Sequence, residues 1–162
     1  MQAEVSETAE LSSSPRSRLR SRLMNAIAVV AAAGDAISVF SFYRHVATSK
    51  TSFCDFGTSF NCDVVNRSSY STFGGIPVAL VGVLGYVLIL ALSTLYRDKA
   101  ETPGMLLIAS VAGLAFSLYL TYIEKFVLAT WCILCLGSLA AILIATILSA
   151  ILFRTMTTSR QN

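Results

Sequence analysis

Four long apolar stretches constrain this chain more than any other feature of its sequence. Each contains 18 to 24 residues with almost no charged side chains. At about 1.5 Å per residue, helices of that length measure roughly 27–36 Å, which is enough to cross a hydrocarbon core of about 30 Å. The stretches cover residues 24–43, 76–95, 105–122 and 130–153.

The composition favours lipid rather than water as the solvent for these helices. Hydrophobic residues make up 55% of the chain and charged residues 13%, against about 25% charged in ordinary soluble domains. Buried helices of a soluble protein are the alternative, but four such runs leave too little polar surface to face water. We therefore predict an all-α membrane protein, a four-transmembrane-helix bundle with a long outer loop between helices 1 and 2.

The basic residues predict how the bundle is oriented. If both termini are cytoplasmic, eight lysines and arginines lie inside and four outside, which agrees with the excess of positive charge found in cytoplasmic loops. The inner set is Arg16, Arg18, Arg20, Arg22, Arg97, Lys99, Arg154 and Arg160, and the outer set is Arg44, Lys50, Arg67 and Lys125. We predict a multi-pass protein of the plasma membrane, although an endoplasmic-reticulum location, with a lumenal outer face, stays open.

The two ends of the chain are polar. We expect residues 1–23 to form a disordered basic cytoplasmic tail and residues 154–162 to form a short cytoplasmic tail. A signal peptide is the alternative for the N-terminal segment, but the apolar run that follows is too long for a signal core. Because the arginines crowd just before that run, they indicate membrane orientation rather than binding of nucleic acid.

All four cysteines fall on the outer side, where disulfides can form. Cys54 and Cys62 lie in the long loop, and Cys132 and Cys135 lie at the outer end of the fourth stretch. Cys132 and Cys135 have the C-x-x-C spacing of redox centres, at a helix start whose amides favour a thiolate, so one of the two should have a lowered pKa. A flexible loop pair beside a membrane-embedded pair indicates an electron relay by thiol–disulfide exchange.

Two other interpretations of the cysteines stay open. A zinc site is disfavoured, because the loop pair is widely spaced and the other pair begins a membrane helix; we predict no metal. Two structural disulfides in a non-enzymatic membrane scaffold are the second alternative, although such a bridge does not need the C-x-x-C spacing.

Asp35, inside the first stretch, and His45, at its outer end, are candidates for proton transfer, and their roles stay undetermined.

Two segments resemble the vitamin K epoxide reductase family, specifically its prokaryotic branch that drives disulfide formation. One is CDFGTSFNCDVVNRSSYSTFGGIPVALVGVLGY, and the other is SLYLTYIEKFVLATWCILC. The resemblance extends over about residues 34–140 and implies a role for each cysteine. Cys135 reacts with the quinone, Cys62 exchanges with Cys132, and Cys54 meets the partner protein. Ser68 matches a loop Ser/Thr near the quinone, the alternative being a helix cap or turn residue.

The resemblance also implies a reaction. The protein would be a membrane thiol oxidoreductase that oxidises the dithiol of a thioredoxin-fold (DsbA-like) partner on the outer face. It would pass two electrons to a quinone (ubiquinone, menaquinone or a related one), and so drive disulfide-bond formation. Leu139 stands where the animal enzymes have a tyrosine, which favours a simple quinone; a reductase of vitamin K quinone or epoxide is the alternative. Because few residues follow the fourth stretch, we expect the partner to be a separate chain.

Overall fold

The computed structural model describes residues 15–47, 61–66 and 68–158. Its helices are α1 (Pro15–Val46), α2 (Cys62–Asn66), α3 (Val78–Thr94), α4 (Thr102–Phe126) and α5 (Ile133–Thr158). Between α2 and α3 lie a 3-10 turn (Ser69–Ser71) and two short antiparallel strands, β1 (Thr72–Phe73) and β2 (Ile76–Pro77).

The four long helices form a closed ring. Helix α1 packs against α3 and α5, and α4 packs against the same two neighbours. The side chains that point inward form one apolar core, while many large apolar side chains point outward. Helices α1, α4 and α5 are long and apolar enough to cross a membrane, and α3 is a shorter apolar helix. The predicted fold class, an all-α membrane bundle of four helices, is confirmed. Core residues include Ile27, Ala31, Ile89, Leu106, Ala145 and Leu152.

The first helix begins at Pro15 rather than at Met24. The predicted disorder therefore does not hold for residues 15–23, and residues 1–14 and 159–162 lie outside the described residues. The guanidinium of Arg20 donates hydrogen bonds to the carbonyls of Arg97 and Lys99. These bonds attach the polar start of α1 to the turn between α3 and α4, a tertiary contact that composition does not reveal.

The other boundaries differ in a way that affects the site. Gly74 and Gly75 adopt left-handed backbone angles, with φ of 60° and 86°; they close the β1–β2 hairpin, so α3 starts two residues later than predicted. Helix α4 extends beyond the predicted 105–122 at both ends, to Thr102 and Phe126. Its last turn therefore includes Glu124, which the sequence pattern assigns to the link before the fourth helix.

One close contact holds α1 against α3 and α5. A Cβ atom on Gly34 would overlap the ring of Tyr86. The Tyr86 hydroxyl donates a hydrogen bond of 2.7 Å to the carbonyl of Ser138, so the ring cannot swing aside without losing that bond. Gly34, Tyr86 and Ser138 thus join three helices at one level of the bundle, where small residues allow close approach.

Gly34→Ala should destabilise the bundle by about 1–3 kcal/mol, the usual cost of adding a methyl group to a packed interior. The free energy of unfolding in mixed detergent micelles measures this cost. Gly85→Ala is the matched control: nothing lies within 4 Å of a Cβ built on Gly85, and alanine favours a helix. Equal stability of both variants would contradict the close contact.

Candidate redox site

The link between α4 and α5 positions one end of the site. The amide of Thr130 donates to the carbonyl of Glu124 at 3.2 Å, and Ala129 adopts a left-handed φ of 49°. This tight turn brings Cys132 directly to the start of α5, where its carbonyl accepts the first helical hydrogen bond from Leu136 at 3.0 Å. Cys132 therefore occupies the N-cap position of α5.

The short helix α2 is attached beside this start. The amide of Asn61 donates to the carbonyl of Trp131 at 3.2 Å. Cys62 and Cys132 are 1% and 0% exposed and belong, with Val65, to one buried cluster. The structure thus brings together the loop cysteine and the helix cysteine for which the sequence predicts exchange, whereas Cys54 lies outside the described residues.

The cysteines of the described part of the chain differ in state and in surroundings. Cys62 is disulfide-bonded, while Cys132 and Cys135 are free thiols. Cys132 is shielded from water, but Cys135 is partly exposed and lines a cavity. Cys132 therefore faces the α2 segment, and Cys135, one helical turn further along, faces the interior of the bundle.

The pKa of the Cys132 thiol is lowered from its usual value. The main cause is a hydrogen bond with the thiol of Cys135, and the backbone groups of Cys135 and Leu134 contribute in the same direction. Burial and the nearby charge of Glu124 oppose the shift. The sequence predicts a lowered pKa for one of the two cysteines at the helix start. The structure assigns it to Cys132, chiefly through the hydrogen bond with the Cys135 thiol, and the backbone groups of the first helical turn add to the effect.

A cavity of about 400 Å³ lies among the four long helices at the cysteine end. Its walls are mainly apolar, and polar side chains line it at a few places. Ser68 and Cys135, both predicted to bind the quinone, line this same cavity. The Ser68 hydroxyl also donates to the carbonyl of Val65 at 2.9 Å, so Ser68 holds the turn after α2 as well. Other polar lining residues are Ser38, Ser41, His45, Tyr70, Ser71, Tyr86, Ser117, Glu124 and Ser138.

The cavity reaches the outer surface of the bundle between α3 and α4. Val81, Gly85 and Leu88 of α3 and Ala112 of α4 line the cavity and are also exposed at the bundle surface. Gly85, which lacks a side chain, and Ala112, which has only a methyl group, leave room between the two helices. An apolar molecule that dissolves in lipid could reach Cys135 by this opening.

Glu124 is the site residue that the sequence analysis missed. It is 2% exposed, and its Oε2 accepts a 3.2 Å hydrogen bond from the amide of Cys132. Among the described residues its Oε1 has no hydrogen-bond partner. A carboxyl group at the end of an apolar helix, eight residues before a C-x-x-C motif, was the available signal, because acids in membrane helices are costly and often functional.

Glu124, Cys132 and Cys135 are also the described side chains that could hold a metal ion together, since their ligand atoms lie within 4.8 Å of one another. A structural zinc site takes four ligands, and the sulfur of Cys62 is already disulfide-bonded. This set fits a structural zinc site poorly, and the expected lack of a metal stays a prediction.

The two candidates for proton transfer in α1 occupy different places. His45 lines the cavity. Asp35 has a buried Oδ1 without a hydrogen-bond partner in the described part of the chain, and it is not among the cavity-lining residues. Of these two residues, only His45 therefore lines the cavity that Cys135 also lines.

Replacing Cys135 by alanine should raise the pKa of Cys132, because it removes the thiol that contributes most to the lowering. Thiolate absorbance in the ultraviolet, followed as pH rises, measures the effect. The first thiolate of the wild-type protein should appear at a lower pH than the single thiolate of Cys135→Ala. An unchanged onset in the variant would contradict the assigned cause.

A comparison with known protein families gives one match. The model of the family described as "Vitamin K epoxide reductase family" matches residues 25–150. The matched range includes all four long helices over most of their length, the α2 segment and all four cysteines. The match therefore covers both the helix bundle and the end of the bundle that contains Cys62, Cys132 and Cys135.

Proposed function

The chain belongs to the vitamin K epoxide reductase family, and from that premise we propose that it oxidises protein dithiols and reduces a quinone. Family membership and the apolar helices make it a multi-pass membrane thiol oxidoreductase. The nature of the two substrates and the direction of electron flow are the proposal. We also assign the chain to the prokaryotic, disulfide-forming branch of the family.

One observation carries the proposal: the two thiols of the C-x-x-C pair face different surroundings. Cys132 is a buried member of the cluster that contains Cys62, whereas Cys135 packs at the edge of that cluster and also lines an apolar cavity, which Cys132 does not. A pair placed in this way can exchange with a protein disulfide on one side and deliver electrons to a lipid-soluble acceptor on the other.

The relay begins at the loop. A reduced thioredoxin-fold protein attacks a disulfide between Cys54 and Cys62 at Cys54, becomes oxidised, and leaves both loop cysteines as thiols. Cys62 then attacks a Cys132–Cys135 disulfide at Cys132, and Cys135 leaves. Cys54 next attacks Cys62, which restores the loop disulfide and leaves Cys132 and Cys135 reduced. The structure, with Cys62 disulfide-bonded and two free thiols, has the redox state expected at this point.

The cavity fits a quinone head group in size and chemistry. Small-molecule sites are typically apolar clefts of about 300–1,000 Å³ with a few placed polar groups, and this cavity has about 400 Å³. When bound, the quinone supplies a two-electron acceptor. Cys135 is the sulfur that faces it, and Ser68, His45 and Tyr70 are the lining residues near the loop that can meet its oxygens. The opening between α3 and α4 provides the route from lipid.

The direction follows from redox potentials. For a two-electron transfer, each difference of about 30 mV in reduction potential between donor and acceptor contributes about 1.4 kcal/mol. The reduction potentials of quinones are higher than those of typical protein dithiols. Electrons therefore flow from the partner to the quinone, and the net product is a disulfide in the partner.

We propose that the cysteine end faces the outside of the plasma membrane and that both termini are cytoplasmic. The side chains of Arg20, Arg97, Lys99 and Arg154 lie at or near the opposite end of the bundle, where α1 and α4 begin and α3 and α5 end. This separation supports the orientation derived from basic residues, because oxidising chemistry and positive charge are then on opposite faces.

Cys135→Ala should abolish quinone reduction with any reductant, whereas Cys54→Ala should abolish it only with the protein partner. Dithiothreitol can reduce the inner pair directly, so it should still support turnover of Cys54→Ala. Quinone absorbance follows both reactions. Ser149→Ala, on the same helix as Cys135 but away from the cavity, is the control and should keep wild-type rates. Turnover by Cys135→Ala would overturn the assigned chemistry.

The exchange step can be trapped. In the Cys54→Ala/Cys135→Ala protein only Cys62 and Cys132 remain, and their shared buried cluster should let mild oxidation join them. Peptide mapping by mass spectrometry identifies the bond. The Cys54→Ala/Cys132→Ala protein retains Cys62 and Cys135 and should cross-link more slowly, because Cys135 packs only at the edge of the cluster and lines the cavity. Faster cross-linking of that second protein would reverse the relay order.

A further inference from the structure

Oxidation of the inner cysteine pair requires movement of protons as well as electrons. Two S–H bonds break, one S–S bond forms, and two electrons and two protons must reach the quinone to make a quinol. Cys132 is fully shielded from water, and Cys135 faces an apolar cavity. Bulk water is therefore poorly placed to accept these protons, and a nearby side chain has to carry at least one of them.

Glu124 meets the geometric requirements for that task. One of its carboxyl oxygens and the two sulfurs lie within 4.8 Å of one another. The amide of Cys132 holds Oε2 at 3.2 Å, which fixes the carboxyl group against the pair, while Oε1 has no hydrogen-bond partner in the described part of the chain. Glu124 also lines the cavity, so the same group touches the thiols and the space where the acceptor would bind.

We propose that Glu124 is the catalytic proton carrier between the Cys135 thiol and the quinone. This inference rests on the proposed function and deepens it. As Cys135 gives up its electrons, its proton passes to the Glu124 carboxylate; as Cys132 closes the disulfide, Glu124 gives that proton to a quinone oxygen. Glu124 then takes the proton of Cys132, whose sulfur lies in the same group within 4.8 Å, and passes it to the second quinone oxygen, so two electrons and two protons leave the pair and the carboxylate is restored.

The other titratable groups around the site are less suitable. Tyr86 of α3 lines the cavity, but its hydroxyl donates to the carbonyl of Ser138. His45 and Tyr70 line it from α1 and from the turn after α2, but His45 is not part of the group within 4.8 Å that Glu124 forms with the two sulfurs, and Tyr70 has no carboxylate to accept a proton. Lys125 is exposed, with its ammonium over the ring of Phe126 at 5.3 Å. Glu124 is the only carboxyl group among the described cavity-lining residues, and carboxyl groups in clefts commonly act as general acids and bases.

Glu124→Gln tests the proposal, because glutamine can still accept the hydrogen bond from the Cys132 amide but cannot accept a proton. Quinone reduction driven by dithiothreitol should fall about 100-fold at neutral pH, within the usual contribution of general acid–base catalysis. The deficit should shrink as pH rises, because hydroxide then removes the thiol proton. Glu124→Asp keeps a carboxyl group and should retain more activity than Glu124→Gln together with the wild-type shape of the pH profile.

Glu101→Gln is the matched control: it lies just before α4, at the other end from the cysteines, and is exposed. It should leave the rate and the pH profile unchanged. A wild-type rate and pH profile in Glu124→Gln would overturn the proposal. So would a loss that is equal at every pH in Glu124→Gln, Glu124→Asp and Glu124→Ala, because that pattern indicates a purely structural role.

A measurement without quinone separates this proposal from the proposed function. Infrared difference spectra between the dithiol and disulfide forms of the inner pair, prepared with dithiothreitol and diamide, should contain a carboxyl band that Glu124→Gln removes and Glu101→Gln keeps. The lack of such a band in the wild-type protein would count against Glu124. A wild-type protein that shows the band but reduces no quinone would refute the proposed function and leave standing the transfer of a proton from the inner cysteine pair to Glu124.

Discussion

The start of α5 is held from two sides, and the redox site depends on this arrangement. The backbone amide and carbonyl groups just before this helix need hydrogen-bond partners, because an unsatisfied polar group is costly where there is little water. The carboxylate of Glu124 accepts from the amide of Cys132, and the carbonyl of Trp131 accepts from Asn61. These two bonds place Cys132 against Cys62. Helical geometry then directs Cys135, three residues later, towards the cavity.

The placement of Cys132 and Cys135 matters because the bundle has an apolar outer surface and an interior that side chains do not fill completely. Tyr86 fills the space beside Gly34 and links α1 and α3 to α5 through its bond to Ser138. Nearer the cysteine end, the helices leave the cavity that Cys135 lines. Lipid solvates the outer surface of the bundle. In the proposed reaction, one cysteine pair can therefore react both with a lipid-soluble acceptor and with electrons that come from a dithiol in water.

Much of this could be predicted from the sequence because the strongest signals are local. Runs of apolar residues specify membrane helices by length alone, and C-x-x-C spacing specifies a reducible pair. Helix ends were less predictable. The start of α1 depends on bonds from Arg20 to a turn almost eighty residues away, and the end of α4 depends on how the link to α5 folds. Glu124 was missed for the same reason, since its importance arises from contact with Cys132.

The sequence by itself determined the membrane environment, the number of long helices and which cysteines are the candidates for redox chemistry, because each follows from composition or spacing along the chain. Only the tertiary structure decided which thiol has the lowered pKa, which side chains share the cavity with Cys135, and that a carboxyl group lies against both sulfurs. The cavity depends on distances between helices that are far apart in sequence, and the other two properties depend on how the link between α4 and α5 folds. Burial and hydrogen bonding at these places set the chemistry.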